Sequence, residues 1–161
     1  MELSLFSAYY THPEIQVYWE VAKNEKSGFL CVKEKRMKLL VIDIQKGITD
    51  SRLFNFEAFI DDTIRIIKAA RDNQIEVIYF QHDDGPGTGF SIGDEDFEIA
   101  EQMIPKEGEK IFIKNINSCF GNKDFTDYVK DDNTLMIVGL QTNFCIDATV
   151  KSAFERGYKV I

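Results

Sequence analysis

The sequence predicts an α/β fold, in which a mainly parallel sheet lies between helices on both faces in a three-layer, Rossmann-like arrangement. Two observations predict this fold. Short runs of almost purely apolar residues recur along the chain, as in strands that are buried on both faces of a parallel sheet. Between them lie stretches in which apolar residues follow helical spacing, and this alternation is typical of β-α units. At 161 residues, the chain has the length of one domain with a sizeable core.

The predicted strands are rich in branched and aromatic apolar residues, and polar or glycine-rich segments bound them. In chain order they cover residues 38–43, 75–80, 110–114, 135–138 and 158–161. The first ends in the carboxylate of Asp43 and the third in the ammonium of Lys114, while the fourth runs through Gly139 into a turn. Residues that follow parallel strands meet at one edge of the sheet, which is where ligands bind in such folds.

The predicted helices alternate with these strands. In chain order they cover residues 56–73, 95–103, 124–130 and 145–157. The first has its apolar residues on one stripe, which predicts that it packs against a sheet face. Gly157 occupies the position of a C-cap glycine at the end of the last helix. Residues 1–36 lack this pattern and are interpreted as an N-terminal extension of unclear role, preceding a domain at 37–161.

The composition argues against several classes of partner. Acidic residues outnumber basic ones by 27 to 19, a balance that disfavours binding to nucleic acid or to an anionic membrane. No apolar run has the length of a membrane span, and the N-terminus lacks the layout of a secretory signal. The three cysteines, Cys31, Cys119 and Cys145, have neither metal-binding nor disulfide-framework spacing. The sequence therefore predicts a cytoplasmic protein whose thiols stay reduced.

Three reactive side chains come from three different strand ends. Because these ends share one edge of the sheet, Asp43, Lys114 and Cys145 are predicted to lie close together. A thiol beside a carboxylate and an ammonium can act as a nucleophile in acyl transfer, with the carboxylate carrying the proton. The strand-to-helix junction predicts a lowered pKa for the Cys145 thiol, and the charge of Lys114 predicts a lowered pKa for both Cys145 and Asp43.

Each of these residues also has an ordinary structural interpretation. A single cysteine in a helix is usually a small buried apolar residue, Asp43 could cap the turn after its strand, and Lys114 could be a solvated strand end. His82 is either a residue that lines the site or a loop histidine. The glycine-rich loop at 85–89 lacks the lysine and the spacing of a phosphate-binding loop.

Three segments resemble the isochorismatase-like cysteine hydrolases, which include nicotinamidases and N-carbamoylsarcosine amidohydrolase. The segments are Leu-Val-Ile-Asp-Ile-Gln at 40–45, the strand end at Lys114, and Gly-Leu-Gln-Thr-Asn-Phe-Cys at 139–145. The resemblance implies a catalytic triad of Asp43, Lys114 and Cys145. It also implies a cis peptide bond between Leu140 and Gln141, and an oxyanion hole formed by the backbone N–H groups of Gln141 and Cys145.

The resemblance also bears on cofactors and on the pocket. Nicotinamidases hold a metal with an Asp-x-His pair and a further histidine, a set of ligands that this sequence lacks. The chain therefore resembles the metal-free members, and neither a metal nor another cofactor is expected. The candidates for the wall of the substrate pocket are Gln45, His82, Phe120 and Phe144.

The expected function is hydrolysis of a C–N bond in a small amide, through a thioester on Cys145. Two alternatives stay open: isochorismatase-like hydrolysis without covalent catalysis by the thiol, and a non-catalytic α/β binding module such as a receiver-like domain. The resemblance further implies a homodimer or a homotetramer. Family members usually continue beyond the strand at which this sequence stops, so a C-terminally truncated domain is expected, and an inactive fragment is a further hypothesis.

Overall fold

A single parallel sheet organises the part of the chain that the structure describes. This computed structural model describes residues 37–161, and the predictions for residues 1–36 lie outside it. In chain order the strands are β1 (Met37–Ile42), β2 (Glu76–His82), β3 (Lys110–Lys114), β4 (Thr134–Gly139) and β5 (Lys159–Val160). Their order in the sheet is β3-β2-β1-β4-β5, and all neighbouring strands are parallel.

Helices connect most of these strands within residues 37–161. They are α1 (Phe56–Asp72) between β1 and β2, α2 (Lys123–Val129) between β3 and β4, and α3 (Asp147–Glu155) between β4 and β5. The connection from β2 to β3 contains two 3-10 turns instead, Glu95–Phe97 and Glu101–Met103. The prediction of a helix at 95–103 is therefore wrong. Ile99, between the two turns, forms an antiparallel bridge with Gln45, and this pairing keeps the backbone extended.

The core lies on both faces of the sheet. Along β1, Leu39 and Val41 belong to the cluster that packs under α1, whereas Leu40 and Ile42 belong to the cluster under α2 and α3. All four side chains are fully buried. Burial of each such side chain contributes about 1.5–3 kcal/mol to stability. A strand buried on both faces needs an unbroken apolar run, which is why the sequence pattern located β1 correctly.

This architecture confirms the predicted α/β fold with a parallel sheet and helices on both faces. The last helix differs from the prediction in its first turn. Residues Thr142–Ile146 form a π-helical turn, and the α-helix begins only at Asp147. In the described range 37–161, none of the helices combines the length and the apolar character that crossing a membrane requires.

Candidate active site

The carboxyl end of β1 carries Asp43 into the interior. Its backbone has a φ of 54°, in the left-handed region that aspartate adopts more readily than most non-glycine residues. The N–H of Asp43 donates to the carbonyl of Phe80 at 3.0 Å, which ties this residue to β2. Asp43 is only 1% exposed. A carboxylate buried to this extent requires a charged or hydrogen-bonding partner.

Lys114 supplies that partner from β3. It is the last residue of the strand and lies opposite His82 of β2 in the sheet register. The Lys114 side chain is fully buried, and its Nζ lies 2.8 Å from Oδ2 of Asp43. The structure therefore brings together two charges that are 71 residues apart in the sequence.

The turn after β4 approaches β1 so closely that only glycine fits at its start. Gly139 has a φ of 139°, and a Cβ atom there would lie 2.0 Å from the carbonyl oxygen of Ile42. The next N–H, that of Leu140, donates to the same carbonyl at 2.9 Å. The peptide bond between Leu140 and Gln141 is cis. These contacts fix the turn against the end of β1, beside Asp43.

The π-helical turn that follows carries Cys145. The thiol lies two residues ahead of α3, and Cys145 is 8% exposed. Its Sγ lies 3.2 Å from Nζ of Lys114. Asp43, Lys114 and Cys145 therefore form one buried cluster at the carboxyl edge of the sheet, as the strand ends predicted.

The ammonium of Lys114 occupies the centre of this cluster. Its three neighbours are Oδ2 of Asp43 at 2.8 Å, Nδ1 of His82 at 3.0 Å and Sγ of Cys145 at 3.2 Å. Asp43, His82 and Cys145 each offer one potential metal ligand, and these atoms lie within 4.8 Å of one another. The same three residues contact the ammonium of Lys114.

Burial and charge set the protonation of Asp43 and Lys114. Burial raises the pKa of the Asp43 carboxyl above its ordinary value, and the adjacent ammonium offsets only part of this effect. Burial by itself would lower the pKa of Lys114, but the charge of Asp43 and the contact with Cys145 raise it, so this residue stays an ammonium. Oδ1 of Asp43 is buried and has no hydrogen-bond partner among residues 37–161. The raised pKa gives this carboxylate the proton affinity that a base needs.

The pKa of the Cys145 thiol shifts in the direction opposite to the predicted one. Burial raises the pKa of Cys145 to about 11, the negative charge of Asp43 adds to this effect, and Lys114 opposes it. The predicted lowering of the pKa values of Cys145 and Asp43 is therefore wrong for the resting site. Lys114 acts in the expected direction on both groups, but the loss of solvent is the larger influence. With a pKa raised to about 11, the thiol is protonated at neutral pH.

Two of the four residues predicted to wall the pocket have other positions. The side-chain amide of Gln45 is fully buried and contacts the backbone of His82 on both sides, accepting from its N–H at 2.7 Å and donating to its carbonyl at 3.0 Å. The ring of Phe120 is packed against Phe125 and Tyr158, so it offers a ligand little surface. Tertiary packing sets the exposure of both side chains, and their assignment to the pocket wall stays a prediction.

The other two predicted pocket residues are placed differently. Phe144 is 52% exposed in the π-helical turn that carries Cys145, so its ring is accessible to a ligand. His82 contacts the central ammonium directly through Nδ1. The interpretation of His82 as a residue of the site, rather than a loop histidine, is the one that its contacts favour.

The sequence analysis did not assign to the site two polar residues that contact members of this cluster. Asn117 is exposed, and its Oδ1 lies 3.8 Å from Sγ of Cys145. Asp84 places Oδ1 3.1 Å from Nε2 of His82. Asn117 follows Lys114 by three residues in a loop after a strand, a position that alone would have made it a candidate. Asp84 carried no comparable signal, since acids are common in turns.

The cluster combines a thiol, a carboxylate and an ammonium at the edge of the sheet where ligands bind in such folds, and a hydrolase can use these groups. The chain belongs to the isochorismatase family, since the isochorismatase domain matches residues 37–161. This family is one of hydrolases, and the match confirms the resemblance found in the sequence.

Individual relatives agree with this family. The chain is 31% identical over 127 residues to YddQ of Bacillus subtilis strain 168, an uncharacterized isochorismatase family protein, and the match covers 74% of this chain and 71% of YddQ. The solved structure of a cysteine hydrolase from Pseudomonas syringae pv. phaseolicola 1448A is 25% identical with a TM-score of 0.66, covering 78% of this chain and 68% of that one. N-carbamoylsarcosine amidase from Thermoplasma acidophilum has the same fold, with 23% identity, a TM-score of 0.66 and coverage of 78% and 79%.

Proposed function

We propose that the protein is a cysteine hydrolase that cleaves a C–N bond of a small amide through a thioester on Cys145. The observation that carries this proposal is the buried ammonium of Lys114, which contacts Oδ2 of Asp43 at 2.8 Å and Sγ of Cys145 at 3.2 Å. A proton that moves from sulfur to the carboxylate transfers negative charge between two groups that the same cation contacts. The charge separation is therefore small at every stage of the transfer.

The first half of the reaction forms the thioester. Sγ of Cys145 attacks the amide carbon while its proton moves to Asp43, whose raised pKa favours proton uptake. A carboxylate oxygen of Asp43 lies within 4.8 Å of Sγ, and transfer requires the two to close to hydrogen-bond distance. The N–H groups of Gln141 and Cys145 are the proposed donors to the oxyanion. The C–N bond then breaks, and Asp43 returns the proton to the leaving amine.

The second half of the reaction restores the enzyme. Water attacks the thioester carbon and gives a proton to Asp43, a C–O bond forms, and the C–S bond breaks. The departing thiolate takes the proton back from Asp43, so the site ends in its starting state. The products are a carboxylic or carbamic acid and an amine, and the reaction consumes one water. No redox step and no second substrate are required.

The relatives support amides as the substrate class. The solved amidase that shares the fold is named for N-carbamoylsarcosine. The relative from Pseudomonas syringae is named a cysteine hydrolase. Asn117 places a carboxamide 3.8 Å from Sγ of Cys145, and the exposed ring of Phe144 belongs to the same turn as the thiol. These groups suit a small neutral amide or ureido group better than a polyanion, because the nearby buried cation is already neutralised by Asp43.

The decisive experiment is capture of the thioester. The protein would be mixed with a panel of small amides and ureido compounds, quenched in acid and examined by intact-mass and peptide mass spectrometry. The expected result is an acyl adduct on the peptide that contains Cys145, in the wild type and not in Cys145→Ala. Cys119 is fully buried and serves as an internal control thiol. Turnover of a panel member by Cys145→Ala at the wild-type rate contradicts the proposal and favours hydrolysis without the thiol.

The same proposal assigns the activity to residues 37–161 and the protein to homodimers or homotetramers in a reducing compartment. Ile111 and Ile113 lie on the edge strand β3 and are 47% and 40% exposed, which suits a surface covered by another subunit. Sedimentation velocity of the whole chain tests the assembly. A monomer at micromolar concentration contradicts this part of the proposal and leaves the chemistry untouched.

A further inference from the structure

The third neighbour of the Lys114 ammonium restricts the state of His82. An ammonium has three N–H donors and no acceptor, so Nδ1 of His82, at 3.0 Å, must present a lone pair to it. The pKa of Lys114 is raised, which keeps the group an ammonium over the whole neutral range. The proton of the imidazole therefore belongs on Nε2.

Asp84 is placed to select this tautomer. Its Oδ1 lies 3.1 Å from Nε2 of His82, so it accepts the hydrogen bond that a proton at that position donates. The side chain of His82 is 19% exposed, whereas that of Asp84 is 53% exposed. The backbone of His82 is fixed independently, since the buried amide of Gln45 bonds both its N–H and its carbonyl. The imidazole thus contacts Lys114 through Nδ1 and Asp84 through Nε2, on a backbone that Gln45 holds.

We propose that His82, held in its Nε2–H form by Asp84, is a positioning residue that keeps the ammonium of Lys114 between Asp43 and Cys145. The inference rests on the proposed function, because it concerns the proton transfer between those two groups. During that transfer the negative charge moves from the carboxylate to sulfur. An ammonium with only these two acceptors is free to follow the charge and to lose contact with the group that has become neutral.

A neutral imidazole is suited to this task for electrostatic reasons. It satisfies the third N–H of the ammonium without adding charge to the cluster. A carboxylate in its place would raise the pKa of Asp43 and Cys145 further, and an imidazolium would repel the ammonium. Two other roles fit the contacts less well. A general base needs a free lone pair, which Nδ1 has given to Lys114, and a metal ligand needs space that the ammonium fills.

Two amide substitutions test the two ring nitrogens of His82 separately. The amide of asparagine overlays Nδ1 of histidine, whereas the longer glutamine reaches the position of Nε2. We expect His82→Asn to keep the contact with Lys114 and to retain kcat within about tenfold of wild type. His82→Gln and His82→Ala should lower kcat by about 100-fold with little change in KM, because the contact acts in the proton transfer. Equal losses in His82→Asn and His82→Gln overturn the proposal.

The tautomer itself can be measured without a substrate. The chain has only two histidines, His12 and His82, so ¹⁵N-histidine labelling gives two imidazoles, and the His82→Asn spectrum assigns them. The expected spectrum at neutral pH shows His82 protonated at Nε2 and unprotonated at Nδ1. Asp84→Ala should populate the other forms, whereas Asp83→Ala should not, because Asp83 bonds Ser91 and Gly85 instead of the ring. A proton on Nδ1 in the wild type overturns the inference, whether or not any amide is hydrolysed.

Discussion

The sheet carries a buried lysine cluster at each of its ends, and the two clusters have different properties. At the carboxyl end, Lys114 contacts Asp43 at 2.8 Å. At the amino end, Lys38 contacts Glu76 at 2.6 Å and Asp132 at 3.6 Å, and its Nζ lies 4.9 Å from the ring centre of Tyr128. Both clusters therefore pair an ammonium with a carboxylate from another strand or strand end. Lys38 and Glu76 lie on the adjacent strands β1 and β2, whereas β2 separates the strand of Lys114 from the one that Asp43 follows.

Solvent access separates the two clusters. The side chain of Glu76 is 36% exposed, and that of Asp43 is 2% exposed. Burial by itself would raise the pKa of Glu76, but hydrogen bonds from Lys38 and Tyr128 outweigh it, so the pKa is lowered. For Asp43 burial outweighs the same kind of partner, and the pKa is raised. Where water reaches it, a lysine–carboxylate pair is thus a salt bridge that links strands. Where water is excluded, the pKa of the carboxylate rises and the group becomes a better proton acceptor.

The largest expected effect is on the thiol of the carboxyl-end cluster. Replacing Cys145 by alanine removes the nucleophile without adding volume, so kcat should fall by about 10,000-fold or more while the fold is kept. Steady-state rates and circular dichroism on the substrate found by the adduct search measure both. Cys119→Ala is the matched control, with near-normal activity per folded molecule. Wild-type activity in Cys145→Ala would contradict the proposal that the carboxyl-end cluster is catalytic and the amino-end cluster is not.

The two lysines provide the most direct comparison. Lys114→Met leaves the carboxylate of Asp43 buried and unpaired, so the free energy of unfolding should fall by about 3–5 kcal/mol. Activity should fall by about 1,000-fold. Lys38→Met should destabilise by about 1–3 kcal/mol and leave kcat/KM per folded molecule within about twofold of wild type. Denaturant unfolding and steady-state kinetics measure these values.

A double substitution then separates stability from chemistry. Combining Lys114→Met with Asp43→Asn removes both buried charges, and most of the lost stability should return because no unpaired ion is left. Activity should stay at the level of the single variant. Recovery of activity together with stability would mean that Lys114 is structural, like Lys38, and would contradict the proposed chemistry.

The pH dependence of alkylation tests the raised pKa of the thiol. Since the pKa of Cys145 is raised from 9.0 to about 11, its reaction with iodoacetamide should keep rising, without a plateau, between about pH 8 and 10. Asp43→Asn removes the negative charge that raises this pKa and should shift the profile to lower pH. Peptide mass spectrometry resolves the rate at Cys145 from other thiols. A plateau below about pH 8 would show that Lys114 dominates over burial.

The same shift has a consequence for stability. A group whose pKa is raised on folding stabilises the folded state fully below its unfolded value and less as pH rises through the folded one. For Cys145 that window runs from 9.0 to about 11. Wild type should therefore lose more stability than Cys145→Ala as the pH is raised through this window. Thermal melting at several pH values compares the two proteins.

The smallest expected effect is at the mouth of the carboxyl-end cluster. Asn117→Ala removes a carboxamide whose Oδ1 lies 3.8 Å from Sγ, so KM should rise by about 3- to 10-fold, the size of one hydrogen bond, with kcat little changed. Asn115→Ala is the matched control, because Asn115 is an exposed asparagine of the same loop, whereas Asn117 is the one that contacts Cys145. Equal changes of KM in the two variants would mean that the effect comes from the loop in general and not from the contact of Asn117 with Cys145.

The sequence by itself determined the order of the strands along the chain and the residues at their ends. The apolar run of β1 and the apolar stripe on α1 are local patterns, and such patterns specify secondary structure directly. Parallel pairing then brings strand ends to one edge, so Asp43, Lys114 and Cys145 could be grouped without a structure. The segment between the two 3-10 turns escaped this reasoning, because its extended form depends on pairing with Gln45.

Only the tertiary structure decided how the grouped side chains behave. The pKa of Cys145 was predicted with the wrong sign, because its largest determinant is burial, to which every packed element contributes. Gln45 and Phe120 were predicted to wall the pocket, and only the structure shows that Gln45 bonds the backbone of His82 and that Phe120 packs against Tyr158. The contact of His82 with Lys114 joins residues 32 positions apart. Desolvation and long-range partners arise from folding as a whole, and no local pattern in the sequence encodes them.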